Sequence, residues 1–263
     1  MGSNQFLQYL IKSKNLHGVH SPFIYEFCEK VLYQKNNTAT FNLIENRRRE
    51  LENNNSEIEI TDLGSGSKKL GGNIRKISQM AKVSSVRPKF GQLLYRIIKH
   101  YQLTNCLELG THLGIGSMYQ LLALSSLGKP FNFTTLEGCP ETLEFAKESI
   151  DLLACDPNFL NICLGNFDNT LAPALSKLGK VDLIIFDGNH RKAPTINYFE
   201  LALPYCHNDT FLIFDDIYWS REMTMAWHEI KVRAEITTTI DLYHWGIALL
   251  RKEMQKEHFV IRY

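Results

Sequence analysis

Acidic residues and a histidine follow two neighbouring apolar runs of the sequence. Asp187 ends the first run, with His190 three residues later, and the pair Asp215 and Asp216 ends the second run. Carboxylates that converge repel one another unless they are protonated or bind a cation. Oxygen ligands suit Mg²⁺ better than zinc. The pattern therefore predicts a Mg²⁺ site formed by Asp187, Asp215 and Asp216.

His190 is the candidate general base beside these carboxylates, and Asp187 is its candidate catalytic partner. Histidine side chains titrate near neutral pH, so they are suited to taking a proton from a reacting group. A neutral hydroxyl is a poor nucleophile, and proton removal activates it. The alternative is a histidine that only packs over the neighbouring loop. The residue types thus indicate proton removal next to a bound cation.

A second stretch with chemical potential is Glu108–Ser117, which includes Gly110, Gly114 and Gly116. Glycine permits positive φ and lets the backbone approach a ligand, while a helix start presents free N–H groups. Glu137 ends the next predicted strand, 29 residues after Glu108, and can accept hydrogen bonds from both ribose hydroxyls. The stretch predicts a nucleotide-type binding loop. A tight strand-to-helix turn in another α/β protein is the alternative, as is a solvated acid at Glu137.

The run Glu108-Leu109-Gly110-x-x-x-Gly114 resembles motif I of class I S-adenosylmethionine (SAM) methyltransferases, in the variant of catechol-type O-methyltransferases. The carboxylates are similar to the metal ligands of enzymes that act on catechols and sugars. The resemblance implies SAM as cofactor and methyl transfer to a hydroxyl oxygen of a small acceptor, with an anionic acceptor considered. The residues that it implies around SAM are Glu108, Gly110, Thr111, Gly114, Ser117, Glu137, Asn166, Phe167 and Asp187.

The sequence departs from this family at the candidate base. Catechol enzymes usually carry a lysine at the position of His190, and the sugar enzymes carry an aspartate one residue earlier, where this chain has Asn189. An alternative role for Asp187 is to orient the amine of SAM, with the two later aspartates capping a helix. The resemblance therefore indicates the reaction type better than the identity of the base.

The spacing of apolar residues predicts the strands and helices that position these residues. Apolar strands alternate with helical stripes from Pro88 onward, which indicates a parallel sheet covered on both faces. The runs 236–242 and 245–251 lie too close together for a parallel crossover, so they must pair antiparallel. With the strand order that the resemblance implies, we predict an α/β fold. It is a Rossmann-like seven-stranded sheet of order 3-2-1-4-5-7-6, with the last strand antiparallel and helices on both faces.

Residues 1–85 are predicted to form a helical cap that binds the acceptor, and residues 86–263 the methyltransferase domain. Ser21-Pro22 is a typical helix start. The pair His17 and His20 has no third ligand nearby, which favours a structural or lid role. Residues 62–67 look like a second motif I, but no acidic residue follows for 45 positions. The loop Gly64–Gly72 is a candidate wall of the acceptor pocket, and a basic helix is predicted over roughly 73–81.

Composition limits the partners. The 263 residues are 44% hydrophobic and 22% charged, and no apolar run approaches the ~20 residues that cross a bilayer. Six separate cysteines without a C-x-x-C pair favour a reduced compartment. The start shows no signal-peptide pattern. We therefore expect a cytoplasmic protein with a small-molecule acceptor and no membrane span, and a homodimer is considered.

The interval between Asp62 and Glu108 contains nine lysines and arginines and no acidic residue. A positive surface of this kind attracts anionic substrates or RNA, whereas a solvated face balanced by distant acids is the alternative. Two other functions are therefore kept beside the leading one. The first is a metal-independent methyltransferase for RNA or another large anion, and the second is a non-catalytic α/β nucleotide-binding protein.

Overall fold

The computed structural model describes residues 3–61 and 72–263. Within these ranges the main sheet has eight strands, and a separate two-stranded sheet pairs two short strands. Mixed α/β architecture of the predicted type is confirmed, although the strand count differs. The two-stranded sheet consists of β1 (Glu57–Glu59) and β2 (Ile74–Lys76). The main sheet consists of β3 (Asn105–Leu109), β4 (Asn132–Glu137), β5 (Leu160–Leu164), β6 (Val181–Phe186), β7 (Cys206–Phe214), β8 (Thr238–Asp241), β9 (Gly246–Leu249) and β10 (Glu257–Val260).

Some helices begin where the local sequence predicts a start. Ser21 accepts a hydrogen bond from the backbone N–H of Ile24, and Pro22 occupies the first turn. The apolar stripe that begins at Phe90 is buried. The helices are α1 (Ser3–Lys12), α2 (Pro22–Glu26), α3 (Asn42–Asn53), α4 (Ile77–Ser84), α5 (Pro88–Tyr101), α6 (Ile115–Ser125), α7 (Pro140–Asp151), α8 (Phe167–Leu178), α9 (Lys192–Ala202) and α10 (Arg221–Val232). None of the described helices is both long and apolar enough to cross a membrane.

The chain divides into two compact units, and one of them is the continuous segment Lys35–Thr170. In this unit β4 lies between β3 and β5 and is parallel to both. Helix α3 is held against α7 by the buried Arg47, whose Nε donates to Ser149 Oγ at 3.0 Å. The strand order 3-2-1 predicted for this part of the sheet is confirmed.

The other unit combines Met1–Gln34 with Leu171–Tyr263. Strand β7 lies between the parallel β6 and the antiparallel β9, and β9 pairs antiparallel with β8. This is the predicted order 4-5-7-6. The eighth strand, β10, was not predicted and pairs parallel with β8. Its neighbour Ile261 bridges to Lys14 and accepts a hydrogen bond from Tyr9 Oη at 2.7 Å.

The helix predicted over 73–81 is wrong at its start, because residues 74–76 form β2 against β1 before α4 begins. The second glycine-rich motif at residues 62–67 and nearly all of the loop 64–72 lie outside the described residues. The side chain of His17 does so as well. Both compact units include residues from the first 85, so the cap function assigned to that segment stays a prediction.

Candidate active site

The carboxylate that ends β3 points into a buried network. Glu108 is 3% exposed, and its Oε1 accepts a hydrogen bond from Gln120 Nε2 at 2.6 Å. Its Oε2 accepts from Ser117 Oγ and from Thr135 Oγ1. Burial, only partly offset by these hydrogen bonds, raises the pKa of Glu108 to about 7. The structure therefore places Glu108 and Ser117 against each other, where they fix α6 onto the sheet.

The glycines of the loop after β3 have two different functions. Gly110 has φ 101° and donates its N–H to Leu136 O at 2.9 Å. Gly114 has φ 82°, and a Cβ there would lie 2.9 Å from Ala146 O on α7. Thr111, between them, pairs its hydroxyl with Thr135 Oγ1 at 2.6 Å. Gly114 is thus required for packing against α7 as well as for its backbone conformation.

Glu137 at the end of β4 is held rigidly by the backbone. Its Oε2 accepts the N–H of His112 at 2.8 Å, and its Oε1 accepts the N–H groups of Gly138 and Cys139, each at 2.9 Å. Burial raises its pKa, and these three hydrogen bonds oppose that shift. Both oxygens keep further lone pairs that can accept hydrogen bonds from a ligand.

His112 was missed by the sequence analysis. It occupies the left-handed region with φ 51°, which lets its N–H reach Glu137. Burial, followed by the charge of Arg75, lowers the pKa of its imidazole to about 4. His112 is therefore neutral at physiological pH. Its position among the glycines of the motif was the signal that marked it as part of the loop.

The segment predicted to hold adenine follows β5. Asn166 uses its Oδ1 to accept the N–H of Asp168 at 3.0 Å, so its side chain caps the start of α8. Gly165 before it has φ 140° and donates to Glu137 O at 2.8 Å. Phe167 is the first residue of α8 and is half-buried. The structure thus connects this segment to the end of β4 through Glu137.

The carboxylate cluster (Asp187, Asp215 and Asp216) lies in the other compact unit. Asp215 donates its N–H to Phe186 O at 3.0 Å, which holds the ends of β6 and β7 together. Its pKa is raised well above the usual value, first by burial and then by the charges of Asp187 and Asp216. Of the three acidic residues that the sequence predicts to converge, Asp187 and Asp216 are thus close enough to raise the pKa of Asp215.

His190 is held beside this cluster. Its Nε2 lies 3.5 Å from Asp187 Oδ1, while its buried Nδ1 has no hydrogen-bond partner among the described residues. Its ring lies 5.8 Å from the ring of Trp219. Trp219 precedes α10 and is partly exposed, whereas Met223 and Trp227 within α10 are buried. Trp219 is thus placed against His190 and outside the buried face of α10.

The backbone around these side chains is unusual. Asn189, His190 and Asp216 have φ values of 66°, 36° and 52°. Left-handed conformations are uncommon outside glycine and are frequent at functional sites.

The start of α10 is capped by Ser220, whose side chain accepts the N–H of Met223. The alternative in which Asp215 and Asp216 cap a helix is therefore wrong for α10.

The donor atoms of the carboxylate cluster determine whether a metal ion fits there. The described residues contain no group of three or more His, Cys, Asp or Glu side chains arranged to hold a metal ion. The three predicted ligands are close enough to shift the pKa of Asp215 but do not form a ready-made coordination sphere. The carboxylates of Asp187, Asp215 and Asp216 are suitable ligands for Mg²⁺, but in this structure they are not arranged as a metal-binding group.

Residues 107–217 match the family model described as "Methyltransferase domain" (Methyltransf_24). No curated protein sequence matches the chain. The matched segment begins one residue before the glycine motif and ends just after the aspartate pair. This segment therefore matches a methyltransferase domain, in agreement with the predicted class I methyltransferase.

Solved structures share the fold at low sequence identity. An SAH-bound methyltransferase from Podospora anserina has a TM-score of 0.60 at 11% identity, covering 80% of this chain and 88% of that one. An O-methyltransferase from Bacillus cereus, in complex with SAH, has a TM-score of 0.57 at 15% identity, covering 92% and 99%. The O-methyltransferase TomG from Streptomyces achromogenes, involved in tomaymycin synthesis and in complex with SAM, has 0.55 at 16%, covering 90% and 99%.

Proposed function

We propose that this chain transfers the methyl group of SAM to a hydroxyl oxygen of a small acceptor molecule. The observation that carries the proposal is the His190 imidazole, held near Asp187 at one nitrogen and without a partner at the other. A base is required to activate a hydroxyl nucleophile. Support for the donor comes from the SAM-bound and SAH-bound structures that share the fold.

The donor side of the proposal uses the loop after β3 and the end of β4. Glu137 is preoriented by three backbone N–H groups, so its remaining lone pairs accept the ribose hydroxyls without reorganisation. Gly110 and Thr111 lie at the loop that faces the methionine part of SAM, and Asn166 and Phe167 at its adenine. Glu108 and Ser117 support this loop through the buried network.

One proton and one methyl group move in the proposed chemical step. Asp187 orients the imidazole of His190 through Nε2, and His190 Nδ1 takes the proton of the acceptor hydroxyl. The oxygen attacks the methyl carbon of SAM in line with the breaking carbon–sulfur bond. The products are a methyl ether, S-adenosylhomocysteine and a protonated His190. Alignment of the two reactants supplies much of the rate, because it replaces a bimolecular encounter.

A Mg²⁺ ion at the carboxylate cluster is a separate part of the proposal. Burial raises the pKa of Asp215, and the charges of Asp187 and Asp216 raise it further; a divalent cation bound there would offset this repulsion. Asp187, Asp215 and Asp216 would hold the ion, and when bound it would favour the ionised form of an acceptor hydroxyl. Because these side chains do not form a ready-made metal group, the proton transfer above is assigned to the protein alone.

The test is a panel of small phenols, catechols and aliphatic diols incubated with SAM and the protein. Formation of S-adenosylhomocysteine together with a methyl ether, both identified by mass spectrometry, is the expected result. The panel is run with excess EDTA and again after Mg²⁺ is added back. Activity that survives EDTA removes the metal from the proposal and leaves methyl transfer intact. Methylation at nitrogen or carbon contradicts the hydroxyl acceptor.

The RNA alternative depends on the cations of the basic interval, and most of those that the structure describes are exposed. The exposed ones are Lys76, Lys82, Arg87, Lys89 and Lys99, whereas Arg96 is 8% exposed. The positive surface that this alternative requires is therefore kept, and salt-sensitive RNA binding is its test.

A further inference from the structure

Asn189 occupies the position between the two residues to which the chemistry is assigned, Asp187 and His190, but the proposed reaction gives it no function. Its side-chain amide nitrogen donates to Tyr198 Oη at 3.3 Å. Its side-chain oxygen is buried and has no hydrogen-bond partner among the described residues. An acceptor atom left unpaired in this way costs about 1–3 kcal/mol, so it calls for an explanation.

The amide is fixed in orientation by a rigid neighbour. Tyr198 lies on α9 and is 1% exposed, so its hydroxyl has little freedom to move. The hydrogen bond from Asn189 Nδ2 to this hydroxyl leaves Oδ1 as the end of the amide available to a ligand. His190 is the next residue, so the two unpaired atoms, Asn189 Oδ1 and His190 Nδ1, belong to the same turn.

We propose that Asn189 is a specificity-determining residue, whose Oδ1 accepts a hydrogen bond from a second donor group of the acceptor, next to the hydroxyl that is methylated. This inference rests on the proposed function. A buried hydrogen-bonding group built to receive a substrate donor discriminates strongly against an analogue that lacks the donor, because the group is then left unpaired. Asn189 therefore selects acceptors by a group that does not react.

The competing explanation is conformational. Asn189 has φ 66°, and asparagine is one of the few residues other than glycine that adopt this region readily. An asparagine retained for its backbone alone is replaceable by glycine, which has no side chain and tolerates the same φ. The variant Asn189→Gly therefore removes the amide while meeting the backbone requirement. Asn189→Asp keeps an oxygen acceptor and, like asparagine, tolerates this conformation.

The experiment compares catechol with phenol, which differ by one neighbouring hydroxyl. Calorimetry measures the binding of each probe to the wild-type protein, Asn189→Gly and Asn189→Asp in the presence of saturating SAH. The wild type is expected to bind catechol about tenfold more tightly than phenol, as one hydrogen bond at the upper end of the usual range provides. Asn189→Gly is expected to reduce this ratio to about twofold, and Asn189→Asp to preserve it.

Equal binding of the two probes by the wild type, or binding of neither, overturns the proposal. Discrimination that survives in Asn189→Gly shows that the asparagine serves the backbone. Loss of discrimination in Asn189→Asp shows that the amide nitrogen, and not the oxygen, meets the ligand. SAH affinity measured in the same titrations reports folding. A wild-type protein that binds neither SAM nor SAH contradicts the proposed function itself, which separates that failure from a failure at Asn189.

Turnover provides a second readout if catechol is methylated. Loss of a positioning hydrogen bond is expected to raise KM for catechol more than it lowers kcat, because the reacting hydroxyl and His190 remain. A fall in kcat with unchanged KM contradicts a role in acceptor recognition.

Discussion

The loop after β3 belongs to one compact unit and the turn after β6 to the other, and the two are built differently. Around the loop, both oxygens of Glu108 and both oxygens of Glu137 accept hydrogen bonds from the protein. Around the turn, Asn189 Oδ1 and His190 Nδ1 are buried without partners among the described residues. In the first region the protein satisfies the two carboxylates, and in the second two polar atoms remain for a ligand to satisfy.

The two regions also differ in how they obtain left-handed backbone. In the loop, Gly110 and Gly114 supply two of its three left-handed positions at little cost and His112 the third, whereas around the turn all three are Asn189, His190 and Asp216, whose side chains carry chemistry. Strained residues persist where the surrounding structure fixes them. Under the proposed function, donor binding falls to a region whose carboxylates are held in place, and acceptor chemistry to a region with unpaired polar atoms.

The largest test of this difference is His190→Ala. Removal of a general base is expected to lower kcat by about 10²–10⁴-fold, while SAM affinity stays within about twofold. Turnover is measured as S-adenosylhomocysteine formation on the acceptor found in the panel, and affinity is measured by calorimetry. His207→Ala, which removes another histidine held by an aspartate, Asp182, at the start of β7, serves as the matched control. An unchanged kcat in His190→Ala would remove the base from the mechanism.

The next test concerns Glu108 and pH. Its pKa is raised from 4.5 in the unfolded chain to about 7 in the folded protein, so the native state binds the proton more tightly. Stability from this group is therefore complete below pH 4.5 and is lost as the pH rises to about 7, by up to about 3 kcal/mol.

Glu108→Gln is expected to remove that loss, because a neutral amide does not titrate. The measurement is the free energy of unfolding in urea at pH 5 and pH 8 for both proteins. The wild type should lose more stability between these pH values than the variant. The protonated carboxyl of Glu108 is a hydrogen-bond donor, and an acceptor is free nearby. This acceptor is Gln120 Oε1, which is buried without a partner among the described residues. An equal pH dependence in the two proteins would show that Glu108 stays ionised.

The smallest expected effect is at Glu137. Glu137→Ala removes the proposed ribose acceptors and should weaken SAM binding by about 1–3 kcal/mol, the range for hydrogen bonds to a charged group. Calorimetry with SAM and SAH provides the measurement, and circular dichroism checks the fold. Glu137→Gln, which keeps one acceptor oxygen, should fall between the wild type and the alanine variant. Full SAM affinity in a folded Glu137→Ala protein contradicts the donor side of the proposal.

Much of the fold follows from local patterns. Alternating apolar runs predict β3 to β9, and the short gap between β8 and β9 predicts their antiparallel pairing. Strand β10 was missed because Glu257–Val260 is half exposed and has little apolar pattern of its own. Strand β2 was missed for a related reason, since its three residues become a strand only by pairing with β1. Both strands form because they pair with another strand, and the local sequence does not show that pairing.

The candidate site divides in the same way. Residue type and position at strand ends predict Glu137, Asp187 and Asp215, because ligands bind at the carboxyl ends of strands in open α/β sheets. The partners of each side chain were not predictable. Nothing in the sequence shows that Gln120 meets Glu108, or that the backbone N–H of His112 meets Glu137.

The discontinuity of one compact unit has a consequence for how the protein is made. Residues 35–170 are contiguous, so they can fold as soon as they leave the ribosome, whereas Met1–Gln34 belong with Leu171–Tyr263. Tyr9 receives its partner Ile261 only after nearly the whole chain has been synthesised. Helix α1, with Leu7 and Ile11 exposed even in the finished fold, therefore waits throughout translation as an unpartnered apolar segment. Since exposed apolar segments of incomplete chains are prone to aggregation, we expect the unfinished chain to be most prone to it in that interval.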